Sequence, residues 1–278
     1  MESMSLAPYL LTKHRAGARI GHDTAYDHMY LDGLEDAYEP GRLMGSFADE
    51  TAKAFQFTRA DMDAYAVESL ARARRAVESG AFAREITPVE VSTRQGAVTV
   101  SQDEQPLKAD PAKIPTLKPA FGKDGAITAA NASSISDGAA ALVLTRASVA
   151  ERLGLKVVAR IASHAAHAHE PGLFTTAPVP AMQKALDKAG WSVSDVDLFE
   201  INEAFAVVAM IAMRELGIGH DKLNINGGAC ALGHPIGASG ARILATLLSA
   251  LEATGGRRGL ASLCIGGGEA TAMAVELV

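Results

Sequence analysis

The sequence is poor in cysteine, in aromatic residues and in positive charge. Its 278 residues include two cysteines, Cys230 and Cys264, and aromatic residues make up 5% of the chain. Two cysteines cannot form the disulfide framework of a small secreted protein, so we expect a reducing, cytoplasmic location. Lysine and arginine number 26 against 32 aspartate and glutamate, a formal net charge of −6. This balance predicts no nucleic-acid partner.

Membrane and secretion signals are also missing. No run of eighteen apolar residues occurs, so we expect no membrane partner. The N-terminal stretch has no basic region before its short apolar run and no cleavage site, so it does not read as a signal peptide.

The common nucleotide and metal motifs are absent as well. No G-x-G-x-x-G or G-x-x-x-x-G-K-[ST] occurs, which excludes the usual dinucleotide and phosphate-loop patterns. His164, His167 and His169 are closely spaced, but no set of cysteines or carboxylates completes a zinc site. We therefore predict no metal and interpret this cluster as a solvated or packed loop. The stretch around Ser239 is not the G-x-S-x-G turn of hydrolases, because its second glycine comes one place early.

The pattern of predicted helices and strands changes along the chain. Residues 1–50 are irregular, a helix is predicted between Thr58 and Gly80, and a hairpin is predicted around Arg94–Gly96. Further along, apolar strands alternate with helices, which predicts a layered α/β fold with a sheet covered on both faces. The strands are predicted at 139–145, 157–161, 196–200, 223–226, 260–265 and 271–276, and the helices at 148–154, 180–189, 202–216 and 238–253.

Four short stretches lie where a predicted strand ends or a predicted helix begins. They are 202–205 (NEAF), 226–228 (NGG), 233–237 (GHPIG) and 264–268 (CIGGG). Open α/β sheets gather ligand-binding groups at such places. His234 lies among glycines that allow a ligand to approach the backbone, and an imidazole transfers protons near neutral pH. A histidine that only orients a turn is the alternative, but the glycine pattern favours catalysis.

The thiol and amide candidates each have a structural alternative. Cys264 ends an apolar strand before three glycines, a setting that favours catalysis over the usual packing role of a free cysteine. Cys230 lacks such a context and is interpreted as packing. Asn202 could donate its amide to an oxyanion or a water, or it could cap the helix that it begins, and both roles stay open.

The order of these motifs resembles the thiolase family, specifically the acetyl-CoA C-acetyltransferase type. The resemblance implies a thiolase-like layered α/β core and Claisen condensation of acetyl-CoA, or thiolytic cleavage of 3-ketoacyl-CoA. It also implies acetyl-CoA or acyl-CoA as substrate, no cofactor beyond these coenzyme A thioesters, and a homo-oligomer. The motifs that carry it are 2–5 (ESMS), 7–8 (AP), 32–34 (DGL), 44–45 (MG), 131–133 (NAS), 136–138 (SDG), 202–206 (NEAFA), 226–243 (NGGACALGHPIGASGARI) and 264–268 (CIGGG).

The resemblance also implies catalytic roles for particular residues. Cys264 would take the α-proton of acetyl-CoA and return it on cleavage. His234 would activate the acyl-accepting cysteine and help to hold the thioester oxygen. Asn202 would position a water in the same oxyanion hole, and the N–H of Gly266 would contribute to a second one.

Substrate contacts follow from the same resemblance. Ser133 matches a serine that contacts coenzyme A, and Met44 and Phe205 match residues that line the substrate channel. Two positions depart from the family pattern. Leu43 stands where many members have a histidine, and Leu107 stands near the place of an arginine that meets the nucleotide of coenzyme A.

A larger departure concerns the acyl-accepting cysteine, which in the family precedes the ESMS stretch. No cysteine precedes Cys230 here, so most of the N-terminal core half is expected to be absent. The expected division is a loop-rich domain at 1–135, a remnant of the N-terminal core half at 136–156 and a C-terminal thiolase core domain at 157–278.

The expected function is then acyl-CoA:acetyl-CoA acyl transfer that needs an N-terminal half for turnover, either a piece missing from this sequence or one supplied by another chain. The alternative is a truncated, non-catalytic module that binds coenzyme A or acts as a scaffold. A ketoacyl synthase is a third possibility, but the pair of NEAFA and CIGGG fits thiolases better.

Overall fold

A computed structural model describes every residue from Met1 to Val278. The strands are β1 (Glu2–Ser3), β2 (Tyr9–Leu10), β3 (Tyr26–Asp27), β4 (Val89–Thr93), β5 (Gly96–Val100), β6 (Asp137–Gly138), β7 (Ala159–Ala168), β8 (Leu198–Ile201), β9 (Arg258–Ile265) and β10 (Glu269–Leu277). The α-helices are α1 (Met44–Ala54), α2 (Arg59–Ser79), α3 (Gln105–Lys108), α4 (Ala147–Leu153), α5 (Pro178–Ala189), α6 (Ala206–Leu216), α7 (Ala229–Leu232) and α8 (Ile236–Thr254).

A four-stranded mixed sheet in the order β7-β10-β9-β8 forms the centre of the molecule. Strand β10 runs antiparallel to both of its neighbours, whereas β8 runs parallel to β9 with Ile201 opposite Ser262. The carboxyl ends of β8 and β9 therefore meet at one edge of the sheet. This edge brings Asn202, which follows β8, close to Cys264 near the end of β9.

Two separate apolar clusters cover the faces of this sheet. Phe199 of β8 and Leu260 of β9 pack with helices α5 and α6 on one face. Their neighbours Leu198 and Ala261 point the other way and pack with α8. The predicted sheet with helices on both faces is confirmed for β8–β10. Ile161 on the edge strand β7 is 43% exposed.

By length and composition alone, helix α8 is long and apolar enough to cross a membrane. Its residues Leu247 and Leu251 are fully buried against β8, β9 and β10. These contacts are those of a core helix that packs on a sheet.

The predicted boundaries of α2 and the hairpin are confirmed. The backbone N–H of Asp61 donates to the Thr58 hydroxyl (3.1 Å), and the N–H of Thr58 donates to the Asp61 carboxylate (2.8 Å). This capping box begins the helix, and Gly80 ends it in the left-handed conformation with φ +76°. Strands β4 and β5 pair antiparallel, with Thr93 opposite Gly96.

The predicted strand at 139–145 is wrong. Only Asp137 and Gly138 pair, with β1, and the chain after them is irregular up to α4. Val143 is 95% exposed and Leu144 is 65% exposed. An apolar run becomes a strand only beside another strand, and none lies alongside this segment.

The predicted helix start at Asn202 and the predicted strand at 223–226 are also wrong. The N–H of Asn202 donates to the Ser262 carbonyl (2.9 Å), so the extended backbone of β8 continues to Asn202 and the helix begins only at Ala206. Asn202 therefore does not cap it. Leu223 makes only a single bridge to Phe199. Helix α1 was not predicted.

Candidate active site

A cavity of about 420 Å³ opens at the carboxyl ends of β8 and β9. Its walls are formed by residues between 4 and 135 and by residues between 174 and 266. Six of the seven residues singled out from the sequence line it, namely Met44, Ser133, Phe205, His234, Cys264 and Gly266. The seventh, Asn202, lies behind His234 and contacts it.

Cys264 lines this cavity and is the second-last residue of β9. Its side chain is buried, and burial raises the pKa of the thiol to about 12. The group is therefore a protonated thiol at neutral pH. Beyond it, Gly267 and Gly268 have φ values of +95° and +87°, a conformation that glycine adopts without strain.

His234 lies between two polar partners. Its Nδ1 atom is 2.6 Å from the Ser239 hydroxyl, and its Nε2 atom is 3.3 Å from the Asn202 side-chain nitrogen. Burial, reinforced by the charge of Arg242, lowers the pKa of His234 to about 4. The imidazole is therefore neutral at neutral pH. Sequence reasoning considered Ser239 only as part of a hydrolase turn and did not connect it with the histidine.

Asn202 is 1% exposed and has one unpaired atom. Its amide nitrogen contacts His234, whereas its Oδ1 atom is buried without a hydrogen-bond partner. A buried polar atom without a partner costs about 1–3 kcal/mol. Such an atom suits a site where a polar ligand group or an ordered water completes the bonding.

The opposite wall is aromatic. The ring of Phe205 packs edge-on against Phe121, with centroids 6.1 Å apart, and tilted against Phe174 at 6.3 Å. A Cβ atom at Gly45 would collide with the Phe121 ring, so the ring lies directly on the backbone of α1. The Ser133 hydroxyl donates to the Ala204 carbonyl (2.9 Å) at the edge of this wall.

Sequence reasoning assigned no role to Glu203, although it lies in the NEAFA stretch. Its carboxylate is fully buried, and one oxygen accepts from the Tyr65 hydroxyl and the Asn224 amide, both at 2.8 Å. The other oxygen accepts from the Ser69 hydroxyl (2.8 Å) and the Cys230 N–H (3.1 Å). Glu203 thus ties α2 to the segment that leads to His234.

Cys230 lies beside Glu203 and does not line the cavity. Its Sγ atom is 3.8 Å from the Glu203 carbonyl oxygen, and burial raises the pKa of its thiol well above the usual value. These contacts are those of a packed thiol.

The predicted loop around the three clustered histidines is wrong, because β7 extends to Ala168 and contains His164 and His167. Nδ1 of His167 lies 2.9 Å from the Lys184 ammonium, and Nε2 of His169 lies 2.9 Å from the Leu173 carbonyl oxygen. The three imidazoles do not converge on one point.

The two positions that depart from the family pattern lie in different places. Leu43 lines the cavity next to Met44. Leu107 is 48% exposed on α3, and its neighbour Lys108 pairs with Glu104 at 3.2 Å.

Two family models match the chain end to end. The thiolase N-terminal domain matches residues 1–148, and the thiolase C-terminal domain matches residues 155–277. The match to the N-terminal domain does not support the expectation that most of the N-terminal half is absent.

Curated relatives have acetyl-CoA acetyltransferase names. Acetyl-CoA acetyltransferase 2 of Arabidopsis thaliana is 50% identical over all of this chain and 70% of its own length. The acetyl-CoA acetyltransferase of Escherichia coli (strain K12) is 50% identical, and the cytosolic acetyl-CoA acetyltransferase of Mus musculus is 49% identical; each match covers 99% of this chain and 70% of the relative.

Solved structures agree with these matches. The crystal structure of the Bacillus anthracis acetyl-CoA acetyltransferase superposes with a TM-score of 0.94 at 40% identity, over all of this chain and 70% of the other. The Acat5 thiolase from Ascaris suum, in complex with coenzyme A, gives a TM-score of 0.89 at 39% identity with the same coverage. The thiolase-like α/β fold is therefore confirmed, and the chain belongs to the thiolase family.

Proposed function

We propose that this chain carries out the carbon–carbon bond chemistry of an acetyl-CoA C-acetyltransferase. The reaction is Claisen condensation of acetyl-CoA, or the reverse cleavage of a 3-ketoacyl-CoA. The observation that carries the proposal is the presence of a thiol, an imidazole and a glycine turn in one cavity, from Cys264, His234 and Gly266. The names of the relatives and the coenzyme A complex of the Ascaris suum thiolase support the substrate class.

Cys264 is the proposed acid and base. As a thiolate it takes a proton from the methyl group of acetyl-CoA and leaves an enolate, and as a thiol it returns the proton on cleavage. Because its pKa is raised to about 12, the thiol must first give its own proton to solvent. A backbone N–H at Gly266 would stabilise the charge that forms on the thioester oxygen.

His234 and Asn202 form the proposed polar side of the site. A neutral imidazole can accept the proton of an acyl-accepting thiol and then donate to the thioester oxygen. Asn202 would hold a water next to that oxygen. Its unpaired Oδ1 atom supports this role.

Ser133, Met44 and Phe205 are the proposed substrate contacts. All three line the cavity. Met44 lies against the backbone of Gly266, where a Cβ atom would be 3.2 Å from the methionine sulfur. The acyl part of the substrate would lie along this apolar side.

We further propose that the acyl-accepting thiol comes from outside residues 1–278. Cys230 is the only cysteine besides Cys264, and it is buried away from the cavity. Acyl transfer would then need a thiol that residues 1–278 do not supply. A homo-oligomer, a cytoplasmic location and the division into 1–135, 136–156 and 157–278 are part of the same proposal.

A second candidate function is a coenzyme A-binding module without turnover. It is favoured by the raised pKa of the Cys264 thiol, which leaves no thiolate in the unliganded cavity.

Exchange of the acetyl-CoA methyl protons with deuterated solvent tests the proposal. We expect the chain to catalyse this exchange, since it needs only a base near the methyl group. Cys264→Ala should abolish it, and the matched control Cys230→Ala should retain it. The measurement is mass spectrometry of acetyl-CoA over time, with calorimetry of acetyl-CoA binding in parallel.

Binding without exchange in the unmodified chain would overturn the catalytic proposal and favour the binding module. Undiminished exchange by the Cys264→Ala variant would remove Cys264 from the role of base.

A further inference from the structure

The Ser239 hydroxyl in the first turn of α8 touches two groups at once. It is 3.0 Å from the Pro235 carbonyl oxygen and 2.6 Å from Nδ1 of His234. Ser239 is fully buried, so no bulk water competes for these contacts. A hydroxyl has one proton to give, and a carbonyl oxygen can only accept one. The Pro235 carbonyl also accepts from the N–H groups of Ala238 (2.9 Å) and Ser239 (3.0 Å), so it does not by itself claim the hydroxyl proton. The other side of the ring gives the direction: the Asn202 amide nitrogen can only donate, so if it donates to Nε2, the ring proton lies on Nδ1 and the Ser239 oxygen accepts it.

We propose that Ser239 is a positioning residue that fixes His234 in the tautomer with the proton on Nδ1. The lone pair of Nε2 then faces Asn202, whose amide nitrogen is 3.3 Å away and donates to it. Both ring nitrogens of the histidine are thereby paired, and the ring is held in one orientation. The functional consequence of this inference rests on the proposed function, but the tautomer itself does not.

This tautomer decides the order of events at the site. Without a proton on Nε2, His234 can accept a proton but cannot donate one to a thioester oxygen. The Nε2–H bond forms only when an acyl-accepting thiol gives up its S–H proton, leaving a thiolate and an imidazolium. Ser239 keeps accepting from Nδ1–H in both states, whereas the Asn202 amide nitrogen can donate to Nε2 only in the neutral state and must turn away once Nε2 carries a proton. The oxyanion contact therefore becomes available only after the thiol has been activated.

A purely structural role for the serine predicts something different. Thr254 on the same helix donates to the Ala250 carbonyl at 2.9 Å, the same type of bond with no histidine nearby. If Ser239 only stabilised the helix in this way, its removal would lower stability and leave the tautomer of His234 unchanged. Thr254→Val is therefore a matched control.

Nitrogen NMR of the full chain with ¹⁵N-labelled histidine tests the inference. The chain has 8 histidines, so the His234 signals are assigned from their loss in His234→Gln. We expect the Nδ1–H tautomer in the unmodified chain at neutral pH. Ser239→Thr, which keeps the hydroxyl, and Thr254→Val should retain it, whereas Ser239→Ala should increase the Nε2–H form. An Nε2–H tautomer in the unmodified chain would overturn the inference, even if Ser239→Ala failed to fold.

Methyl-proton exchange adds a functional readout. An Nδ1–H tautomer without any exchange in the unmodified chain would contradict the proposed function and leave the role of Ser239 standing. A folded Ser239→Ala variant with an unchanged tautomer would contradict the role of Ser239 alone.

Discussion

Burial sets the protonation of the two titrating side chains at the cavity. It raises the pKa of the Cys264 thiol to about 12 and lowers the pKa of His234 to about 4. Both shifts favour the neutral form, because a charged group loses its hydration in the protein interior. The unliganded site is therefore uncharged at these two positions over the whole physiological pH range.

Methyl-proton exchange should follow the ionisation of Cys264. At pH 7 only ~1 in 10⁵ of such thiols is ionised, and this fraction rises about tenfold per pH unit below the pKa. We expect the exchange rate to rise with this slope between pH 7 and pH 9, measured with saturating acetyl-CoA. No step should appear near pH 6.5, since His234 stays neutral down to its pKa of about 4. A plateau above pH 7 would contradict this account.

Some site residues are marked by a local sequence pattern, and these could be selected from the sequence. Others are marked only by contacts in the folded chain, and these were missed. His234 and Cys264 stand out because glycines flank them at element boundaries, a local pattern. Glu203 and Ser239 act through contacts that the sequence does not display. Tyr65 lies 138 positions before Glu203, and the Ser239 contact depends on the turn that brings the serine beneath the imidazole.

At the level of elements, Glu203 joins α2 to the chain around α7. Its two oxygens accept four hydrogen bonds, from Tyr65, Asn224, Ser69 and the Cys230 backbone. A carboxylate accepts on both oxygens, whereas a glutamine presents N–H donors on one side. A glutamine at position 203 would therefore place its amide N–H₂ against groups that are themselves hydrogen-bond donors.

Glu203→Gln should lower the free energy of unfolding by about 1–3 kcal/mol, the cost of leaving buried polar groups unpaired. Denaturant unfolding followed by circular dichroism measures the change. Glu215→Gln on the exposed side of α6 is the control and should stay within about 0.5 kcal/mol of the unmodified chain. Equal stability of the two variants would show that Glu203 does not hold these elements together.

The elements that were predicted correctly owe their position to local signals. Strong caps mark both ends of α2, and alternation around a turn marks the hairpin of β4 and β5. The segment 139–145 has the composition of a strand but no neighbouring strand to pair with. Composition cannot supply a partner, and this is why the prediction failed there.

On the scale of the whole molecule, the outer edge of strand β7 and the apolar segment 139–145 stay exposed to solvent. Strand β7 pairs only with β10, so its other edge is open over 10 residues. Ile161 on this strand and Val143 in the segment 139–145 are exposed apolar side chains. Open edges and contiguous apolar surface promote association between chains.

We therefore expect the chain to form oligomers or aggregates larger than its monomer mass of 28.9 kDa. Light scattering coupled to size exclusion measures this mass. The double variant Val143→Lys and Ile161→Lys should shift the distribution towards monomer. Charge at Ile161 disfavours pairing at the open edge, and charge at Val143 removes exposed apolar surface. A monodisperse monomer of the unmodified chain would contradict the expectation.

The bonds around Glu203 also join the two family domains. The hydroxyls of Tyr65 and Ser69, in the N-terminal domain, donate hydrogen bonds to Glu203 in the C-terminal domain. In the same way, Arg72 donates to the carbonyls of His220 (2.8 Å) and Leu223 (2.7 Å). These bonds cross the boundary between the two family domains. A motion that separated the domains would leave the buried Glu203 carboxylate without its Tyr65 and Ser69 donors, which is a cost that opposes such a motion.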